Sequence, residues 1–245
     1  MKDVNKVGLM MKKNVKYEGK GKTLYSTDIE GELIQVFKDD ATAFDGKKRD
    51  TITGKGVLNC AISTFFFAAL EDVGIKTHFI RREADNEMRI HALSMMPVEV
   101  VVRNIAAGSI CKRLGLEEGL VLKRPLTELF YKDDALGDPM INTEHCELFG
   151  WAKAEQIREM RALALDVNAV MSNILEEAGI RLVDFKLEFG LLNGDIVLGD
   201  EVSPDGCRLW DIETNRKLDK DVFRRDLGGL SEVYHEVATR LGIKV

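Results

Sequence analysis

The sequence predicts an α+β protein of two lobes, with mostly antiparallel sheets and flanking helices. Strand patterns occur in groups and helical patterns lie between the groups, which is typical of this class. The 245 residues are 45% hydrophobic, enough for a sizeable core in one domain or in two closely joined lobes. We predict a small β-rich lobe in residues 1–80 and a larger α/β lobe in residues 81–245.

The elements of the small lobe follow from turn residues and apolar runs. TLYST (residues 23–27) and ELIQVFK (residues 32–38) are predicted strands joined by a turn at Gly31. The polar stretch of residues 39–55 is predicted as a long loop, a kind of segment that is often functional. GVLNCAISTFFFAALEDVG is then a predicted helix that ends at Gly74.

The larger lobe begins with three predicted strands, THFIRR, EMRIHAL and VEVVVRNI, and a short helix, SICKRLG. Residues 151–179 form the longest predicted helix, because their apolar residues recur at intervals of about three and four and define one core-facing side. These apolar residues are Ile157, Met160, Leu163, Leu165, Val167, Val170, Met171, Ile174 and Leu175. Two strands, the strand CRLWD and a final helix over residues 229–241 complete the prediction.

The charge and the apolar content limit the partners of the chain. The formal net charge is −6 and no long basic run occurs, which argues against nucleic acid while allowing a local anion site. No apolar run approaches the roughly 18 residues of a membrane span, and the amino-terminal stretch lacks the apolar region of a signal peptide. We therefore expect a cytoplasmic protein without a membrane partner.

Cysteine and histidine spacing predicts neither a disulfide framework nor a zinc site. The cysteines, at positions 60, 111, 146 and 207, form no C-x-x-C pair and are interpreted as reduced packing residues. The histidines, at positions 78, 91, 145 and 235, show no ligand-like spacing.

One predicted hairpin, VDFKLEFGLLNGDIVLGD (residues 183–200), carries charges where apolar or neutral residues would hold a sheet more simply. In its first strand Val183, Phe185, Leu187 and Phe189 alternate with Asp184, Lys186 and Glu188, so the charges share one face. A solvated outer face is the simpler explanation. Against it, Asp200 follows Ile196 and Leu198 on their face, and a buried carboxylate needs a cation, either Lys186 or Mg²⁺ bound to a polyphosphate.

The turn of this hairpin decides whether Glu188 and Asp200 can share a ligand. A two-residue turn at residues 193–194 would place the two carboxylates on opposite faces of the sheet. A shared metal site therefore requires a bulge. We predict one at Gly194 in a three-residue loop, or near Gly190 or Gly199.

The segment YEGKGKTLY places glycines and lysines directly before a predicted strand. Glycines let the backbone approach phosphate closely, and lysines supply charge. The Walker A pattern is absent, and the arrangement is closer to the nucleotide lobe of kinases. A plain basic hairpin is the alternative.

Two further segments suggest a second anion site. Arg103 ends the strand before RNIAAGS, and Ser109 begins the following helix, where backbone N–H groups, a hydroxyl and a guanidinium can bind an anion. Arg208, in SPDGCRLWD, is close in sequence to Asp200. The alternatives are an ordinary N-cap serine, a surface arginine and a structural ion pair. The residues alone therefore indicate an enzyme that uses Mg–nucleotide on a phosphorylated or anionic substrate.

A set of motifs resembles the SAICAR synthetase (phosphoribosylaminoimidazole-succinocarboxamide synthase) family: YEGKGKTLY, DDATAFDGKKRD, PVEVVVRNIAAGSICKRLG, KDDALGDP, VDFKLEFG and LGDEVSPDGCRLWD. The resemblance implies a ligase of de novo purine biosynthesis that joins L-aspartate to carboxyaminoimidazole ribonucleotide (CAIR), giving SAICAR, ADP and phosphate through an acyl phosphate. It also implies a homodimer and a two-lobed fold related to ATP-grasp enzymes and kinases, with the ATP-binding lobe first. Another ligase or kinase with a different acceptor, and a non-catalytic nucleotide-binding module, are the alternatives, because a fold does not fix a substrate.

The resemblance also implies roles for individual residues. The glycine-rich loop near the ATP phosphates matches Lys20, Gly21 and Lys22. The Mg²⁺ carboxylates match Glu188 and Asp200. The group that holds the ribonucleotide 5′-phosphate matches Arg103, Ser109 and Arg208. The catalytic residues near the reacting carboxylate match Asp40, Lys132, Asp184 and Lys186.

Overall fold

The computed structural model describes residue 12 and residues 14–43 and 48–245. The elements of the amino-terminal part are, in chain order, β1 (Val15–Glu18), β2 (Lys22–Ser26), β3 (Glu32–Phe37), β4 (Asp40–Ala43), β5 (Lys48–Thr51), α1 (Lys55–Asp72), β6 (Phe79–Ala84) and β7 (Glu87–His91). An antiparallel sheet has the strand order β1-β2-β3-β7-β6. The predicted strands, the turn at Gly31 (φ 81°) and the helix before Gly74 (φ 87°) are confirmed.

This first sheet continues past the predicted lobe boundary. β6 and β7 form a hairpin, and β7 pairs with β3, so the sheet includes residues up to His91. The predicted division between residues 80 and 81 falls inside β6, because a sequence does not show which sheet a hairpin joins. A boundary after β7 agrees better with this sheet.

Residues 39–55, predicted as a loop, contain a small sheet instead. β4 and β5 pair antiparallel, with Asp40 opposite Thr51, while residues 44–47 lie outside the described residues. The loop prediction was wrong for these strands because DATA has only alanines as apolar residues and KRDT has no apolar residue, so neither gives a clear strand pattern. Asp39 joins this segment to α1, since its carboxylate accepts from the backbone N–H of Gly54 (3.2 Å) and Gly56 (2.9 Å).

The elements of the carboxy-terminal part are β8 (Ser94–Ile105), α2 (Ser109–Leu114), β9 (Val121–Tyr131), a 3-10 turn (Asp134–Leu136), β10 (Met140–Ile141), α3 (Thr143–Leu148), α4 (Ala154–Glu177), β11 (Ile180–Leu192), β12 (Asp195–Gly199), β13 (Cys207–Asp211), α5 (Asp221–Arg224) and α6 (Leu230–Arg240). The second sheet has the strand order β10-β9-β8-β11-β12, with β13 beside β11. β9 was not predicted, because Pro125 and its basic neighbours interrupt the strand pattern.

Helix α4 packs on the second sheet and supplies much of the core. Its predicted core-facing residues are buried or partly buried, except Leu165, which is 40% exposed. The buried stripe instead passes through Ala164 and Asn168, and Asn168 exchanges side-chain hydrogen bonds with Asn104 (2.7 and 3.2 Å). Among the residues that the structure describes, no helix is long and apolar enough to cross a membrane.

The hairpin of β11 and β12 is regular, so the predicted three-residue loop at Gly194 and the bulge near Gly199 are wrong, whereas an irregularity near Gly190 is present where β11 pairs with β8. Leu192 pairs with Asp195, and the pairing continues without a shift along β12. Asn193 (φ 53°) and Gly194 (φ 94°) occupy the turn, and positive φ at both positions is typical of a type I′ turn.

The alternation of side chains along the strands nevertheless does not place Glu188 and Asp200 on opposite faces of the sheet. Asp200 follows the last residue of β12 and has left-handed backbone (φ 62°), so its side chain does not continue the alternation of the strand. A register shift also occurs near Gly190, but between β11 and β8. Glu188 and Asp200 border the same cavities as a result.

Candidate active site

A cavity of about 770 Å³ lies between the two sheets. The loop between β1 and β2 borders one side of it, and β8, β11 and the segment after β12 border the other. The predicted site residues along this cavity are Lys20, Gly21, Lys22, Asp40, Lys132, Lys186, Glu188 and Asp200. The fold therefore brings together groups that are up to 180 positions apart in the sequence.

Lys132, Lys186, Glu99 and Glu188 form a lysine–carboxylate group on the wall of this cavity. Lys186 Nζ donates to Glu188 Oε1 at 2.7 Å and to Glu99 Oε1 at 2.8 Å, and Lys132 donates to Glu188 Oε2. Burial raises the pKa of Glu188, but Lys186, Lys22 and Lys132 outweigh it and hold the pKa well below its ordinary value. Since Glu188 is only 2% exposed, a solvated outer face does not explain these charges.

The glycine-containing loop adds a lysine from the first sheet. Lys22 begins β2, and its ammonium contacts the carboxylate of Asp200. Burial lowers the pKa of Lys22 to about 8, although nearby carboxylates favour its charged form. Lys20 is nearer to solvent and donates to Asp134 at 2.9 Å. The two lysines therefore line the cavity at different depths.

Arg103, Ser109, Arg208 and Asp184 form an arginine group at the other end of the charged face of β11. Arg103 donates to Asp184 Oδ2 (2.5 Å) and to Ser109 Oγ (3.1 Å). Arg208 Nη1 donates to both oxygens of Asp184 at 3.0 Å. The three residues predicted to bind one phosphate thus converge, and Asp184 joins the two arginines rather than the lysines.

Gly108 lets Arg208 approach the start of α2. Its φ is 63°, and a Cβ at this position would lie 2.4 Å from Nη2 of Arg208. Arg208 Nε is fixed by Asp221 Oδ2 at 3.1 Å, yet the side chain remains 20% exposed. A partly exposed guanidinium held by carboxylates suits the binding of an anion such as phosphate.

An adjoining cavity of about 280 Å³ has mainly apolar walls, and the sequence did not reveal it. Its apolar side chains are those of Leu24, Leu33, Ile90, Leu93 and Met95. Leu24, Leu33 and Ile90 lie on the paired strands β2, β3 and β7, whereas Leu93 and Met95 come from the connection to β8 and from β8 itself, so only the tertiary fold brings the five together. The residues that border both cavities are Tyr17, Lys22, Met95, Lys132, Glu188 and Asp200.

A second buried ion group, centred on Asp205, was not predicted from the sequence. Asp205 Oδ2 lies 2.8 Å from Lys55 Nζ and 3.4 Å from Lys220 Nζ, and Tyr234 donates to Asp205 Oδ1 at 2.6 Å. Burial raises the pKa of Asp205, but Lys220 and Lys55 outweigh it and lower the pKa far below its ordinary value. Asp205 and Lys220 also border the large cavity. The signal in the sequence, SPDG, indicated only a turn.

The donor atoms near the lysines fit a magnesium ion that accompanies a polyphosphate. Within residues 14–43 and 48–245, no group of three or more His, Cys, Asp or Glu side chains is placed to bind a metal by itself. Mg²⁺ needs fewer protein ligands, because it takes one or two carboxylates and completes its shell with phosphate oxygens and water. Glu188 and Asp200 supply two such carboxylates beside the same cavity.

Two unequal β-rich parts, a charged cavity between them and an adjoining apolar cavity are typical of an enzyme that binds a nucleotide. The sequence profile of the SAICAR synthetase family matches residues 15–241. The chain therefore belongs to the SAICAR synthetase family.

Relatives match over nearly the whole chain. A phosphoribosylaminoimidazole-succinocarboxamide synthase of Jannaschia sp. (strain CCS1) is 54% identical over 238 residues, covering 96% of this chain and 94% of that protein. The crystal structure of the synthase from Ehrlichia chaffeensis has a TM-score of 0.93 at 44% identity and covers 95% of this chain and 100% of that chain. A SAICAR synthetase (type 2) in complex with ADP has a TM-score of 0.91 at 52% identity, and the match covers 94% of this chain and 98% of that chain. The predicted fold and enzyme class, an ATP-dependent ligase of purine biosynthesis, are confirmed.

Proposed function

We propose that this ligase joins L-aspartate to the carboxylate of CAIR, converting ATP to ADP and phosphate and giving SAICAR. The observation that carries the proposal is the sequence of groups along one face of β11: Asp184, Lys186 and Glu188. The first joins two arginines that suit a ribonucleotide phosphate, and the other two belong to the lysine–carboxylate group beside the cavity. One strand thus carries both groups, which supports an anion site and a phosphoryl-transfer site near each other.

ATP fits with its base in the apolar cavity and its phosphates in the larger one. Lys22 borders both cavities, so it lies where base and phosphates would meet. Lys20 and Gly21 border the phosphate end. A relative that is 52% identical over 94% of this chain contains ADP, which supports a nucleotide here.

CAIR fits with its 5′-phosphate against Arg103, Ser109 and Arg208. Asp184 acts as a positioning residue in this arrangement, because it holds both guanidinium groups. The reacting carboxylate of CAIR would then extend along β11 toward Lys186 and Lys132. Asp40 borders the cavity from β4 and is a further proposed catalytic residue.

The chain's lysines suit an acyl-phosphate mechanism. A carboxylate is a poor acyl donor because oxide is a poor leaving group. Transfer of the γ-phosphoryl group to a carboxylate oxygen of CAIR breaks its bond to ADP and forms an acyl phosphate. The unprotonated amine of L-aspartate then attacks the acyl carbon, phosphate leaves and the new amide loses a proton to water. Lys22, Lys132 and Lys186 neutralise charge on the phosphoryl oxygens during transfer.

Glu188 and Asp200 are the proposed magnesium ligands. When bound, Mg²⁺ supplies Lewis-acid polarisation of the phosphoryl oxygens. Lys132 and Lys186 would then orient Glu188, to which both donate.

A cytoplasmic homodimer is part of the same proposal. The cysteines at positions 60, 111, 146 and 207 are free thiols, which agrees with a reducing compartment. Leu148 and Phe149 are adjacent in the sequence and 79% and 63% exposed, and contiguous exposed apolar side chains can mark a protein interface.

The test is ADP release by the purified protein with Mg-ATP, CAIR and L-aspartate, each omitted in turn. Turnover that requires all three supports the proposal. ADP release with Mg-ATP and CAIR but without L-aspartate supports an acyl phosphate that is hydrolysed when the amine is missing. Turnover with another acceptor in place of CAIR, or none with any combination, would contradict the proposed reaction.

A further inference from the structure

His78 is a buried histidine that borders the apolar cavity. It is 3% exposed, and its Nε2 has no hydrogen-bond partner among the residues that the structure describes. Its backbone is fixed on both sides, because its N–H donates to Leu198 (2.8 Å) and its carbonyl accepts from His91 (2.7 Å). Its ring packs edge-on against Phe67 with centroids 5.2 Å apart. The imidazole is therefore held in place with one polar atom unsatisfied.

An unsatisfied buried nitrogen destabilises the folded protein unless a ligand or an ordered water supplies the missing partner. Burial, with Lys22 and His91, lowers the pKa of His78 to about 3, so the ring is neutral near pH 7. His78 can therefore offer a hydrogen bond but not a charge. Gln35, the amide side chain in the same cavity, already donates to the backbone carbonyl of Asp200 at 3.3 Å.

The ligand that these walls fit is a flat apolar ring with a polar edge. Leucine and isoleucine side chains line the cavity, while Lys22 and the carboxylates lie where it meets the larger cavity. A purine base bound with its phosphates near Lys22 would have its ring in the apolar part. An imidazole protonated on Nδ1 can accept from the exocyclic amine of adenine through Nε2.

We infer that His78 accepts a hydrogen bond from the exocyclic amine of the adenine base and thereby sets the preference for ATP. This assignment rests on the proposed placement of the nucleotide. The residue acts in recognition and not in chemistry, because it contributes no charge at the phosphates.

The test compares binding of ATP with binding of purine riboside triphosphate, which lacks the amine, without CAIR or L-aspartate. The wild-type protein should bind ATP about three- to tenfold more tightly than the analogue, the range expected for one hydrogen bond. His78→Leu should bind both with the lower affinity, whereas His78→Gln, whose amide oxygen can accept, should recover part of the preference. Equal wild-type affinities, or a preference that persists in His78→Leu, would overturn the inference.

Phe67→Leu separates recognition from packing. It removes the ring that packs against His78 but no hydrogen-bonding group, so we expect a lower melting temperature and an unchanged ratio of the two affinities. Loss of the ratio in Phe67→Leu to the same extent as in His78→Leu would assign the effect to packing and contradict the inference. Binding is measured without turnover, so tight binding that ignores His78 rejects this inference alone. Absence of nucleotide binding by the wild type would reject the proposed function as well.

Discussion

The ammonium of Lys22, on the first sheet, contacts the carboxylate of Asp200, which directly follows β12 of the second sheet. This ion pair crosses the place where the apolar cavity meets the charged one. A polyphosphate bound there would compete for Lys22, and a metal ion would compete for Asp200. The contact therefore marks the proposed path of the phosphates.

Removing either proposed metal carboxylate should stop turnover without unfolding the protein. Glu188→Gln and Asp200→Asn keep the side-chain shape but lose the negative charge that Mg²⁺ requires. We expect kcat to fall more than about a hundredfold, as for loss of one strong electrostatic interaction in an active site. The matched control is Asp195→Asn in the same hairpin, which removes only an exposed ion pair to Lys76. Wild-type kcat in both active-site variants at ordinary Mg²⁺ would reject the metal assignment.

Lys22 should make ATP binding depend on pH. Its pKa of about 8 means that it is charged below pH 8 and neutral above it, so the KM for ATP should rise with pH. Since one unit above the pKa leaves about a tenth of the lysine charged, we expect a roughly tenfold increase in KM between pH 7 and pH 9. Lys22→Arg keeps its charge over this range and should flatten the profile. A wild-type profile that is already flat would show that Lys22 does not meet the phosphates.

Gly108→Ala should weaken binding of the ribonucleotide. The new Cβ would lie 2.4 Å from Nη2 of Arg208 and would displace the guanidinium, so the KM for CAIR should rise about tenfold or more while that for ATP is unchanged. Gly74→Ala is the matched control, because its φ is also positive (87°) but no atom lies within 4 Å of the new Cβ. Both variants carry backbone strain, and only Gly108→Ala should change the KM for CAIR. An increase confined to the KM for ATP would mean that Arg208 serves the other substrate.

Asp184→Asn should destabilise the fold as well as the site. Removing one charge from a buried network costs about 3–5 kcal/mol, because Arg103 and Arg208 lose their shared partner. The free energy of unfolding, measured by urea denaturation, should fall by that amount. Asp195→Asn, on the surface, should change it by less than about 1 kcal/mol. A loss below 1 kcal/mol in Asp184→Asn would show that the two arginines do not depend on it.

The sequence could predict elements with clear periodicity but not those without it. The alternation in β11 and the helical spacing in α4 indicated their buried faces, and the structure confirms both apart from Leu165. β4 has only alanines as apolar residues, β5 has no apolar residue, and Pro125 interrupts the pattern of β9, so the strand character of all three comes from pairing with neighbours. Strand pairing depends on tertiary contacts, which a short stretch of sequence does not contain.

The charge motifs indicated which residues lie near each other, but not which of them form ion pairs. Lys186 was offered as a partner for Asp200, but it pairs with Glu188 and Glu99, and Lys22 contacts Asp200 instead. Asp184, on the same strand face, pairs with arginines instead because β8 and β13 place Arg103 and Arg208 opposite it. The apolar cavity and the Asp205 group are assembled from distant segments, and single motifs such as SPDG could not reveal them.

Because Asp184, which joins the two arginines, and Glu188 stand on one continuous strand, the distance between them is set by backbone geometry. Asp184 and Glu188 are four residues apart in β11, and a strand rises about 3.3 Å per residue, so their Cα atoms are about 13 Å apart. Movement of the first sheet would carry Lys20 and Lys22 but would leave this spacing unchanged. A one-residue insertion between Asp184 and Glu188 would turn one of these two side chains toward the core. Insertions in the β4–β5 connection would leave the spacing of Asp184 and Glu188 unchanged. A change in the length of this strand would therefore alter the distance between the two proposed substrate sites, whereas exchange of the loops around it would not.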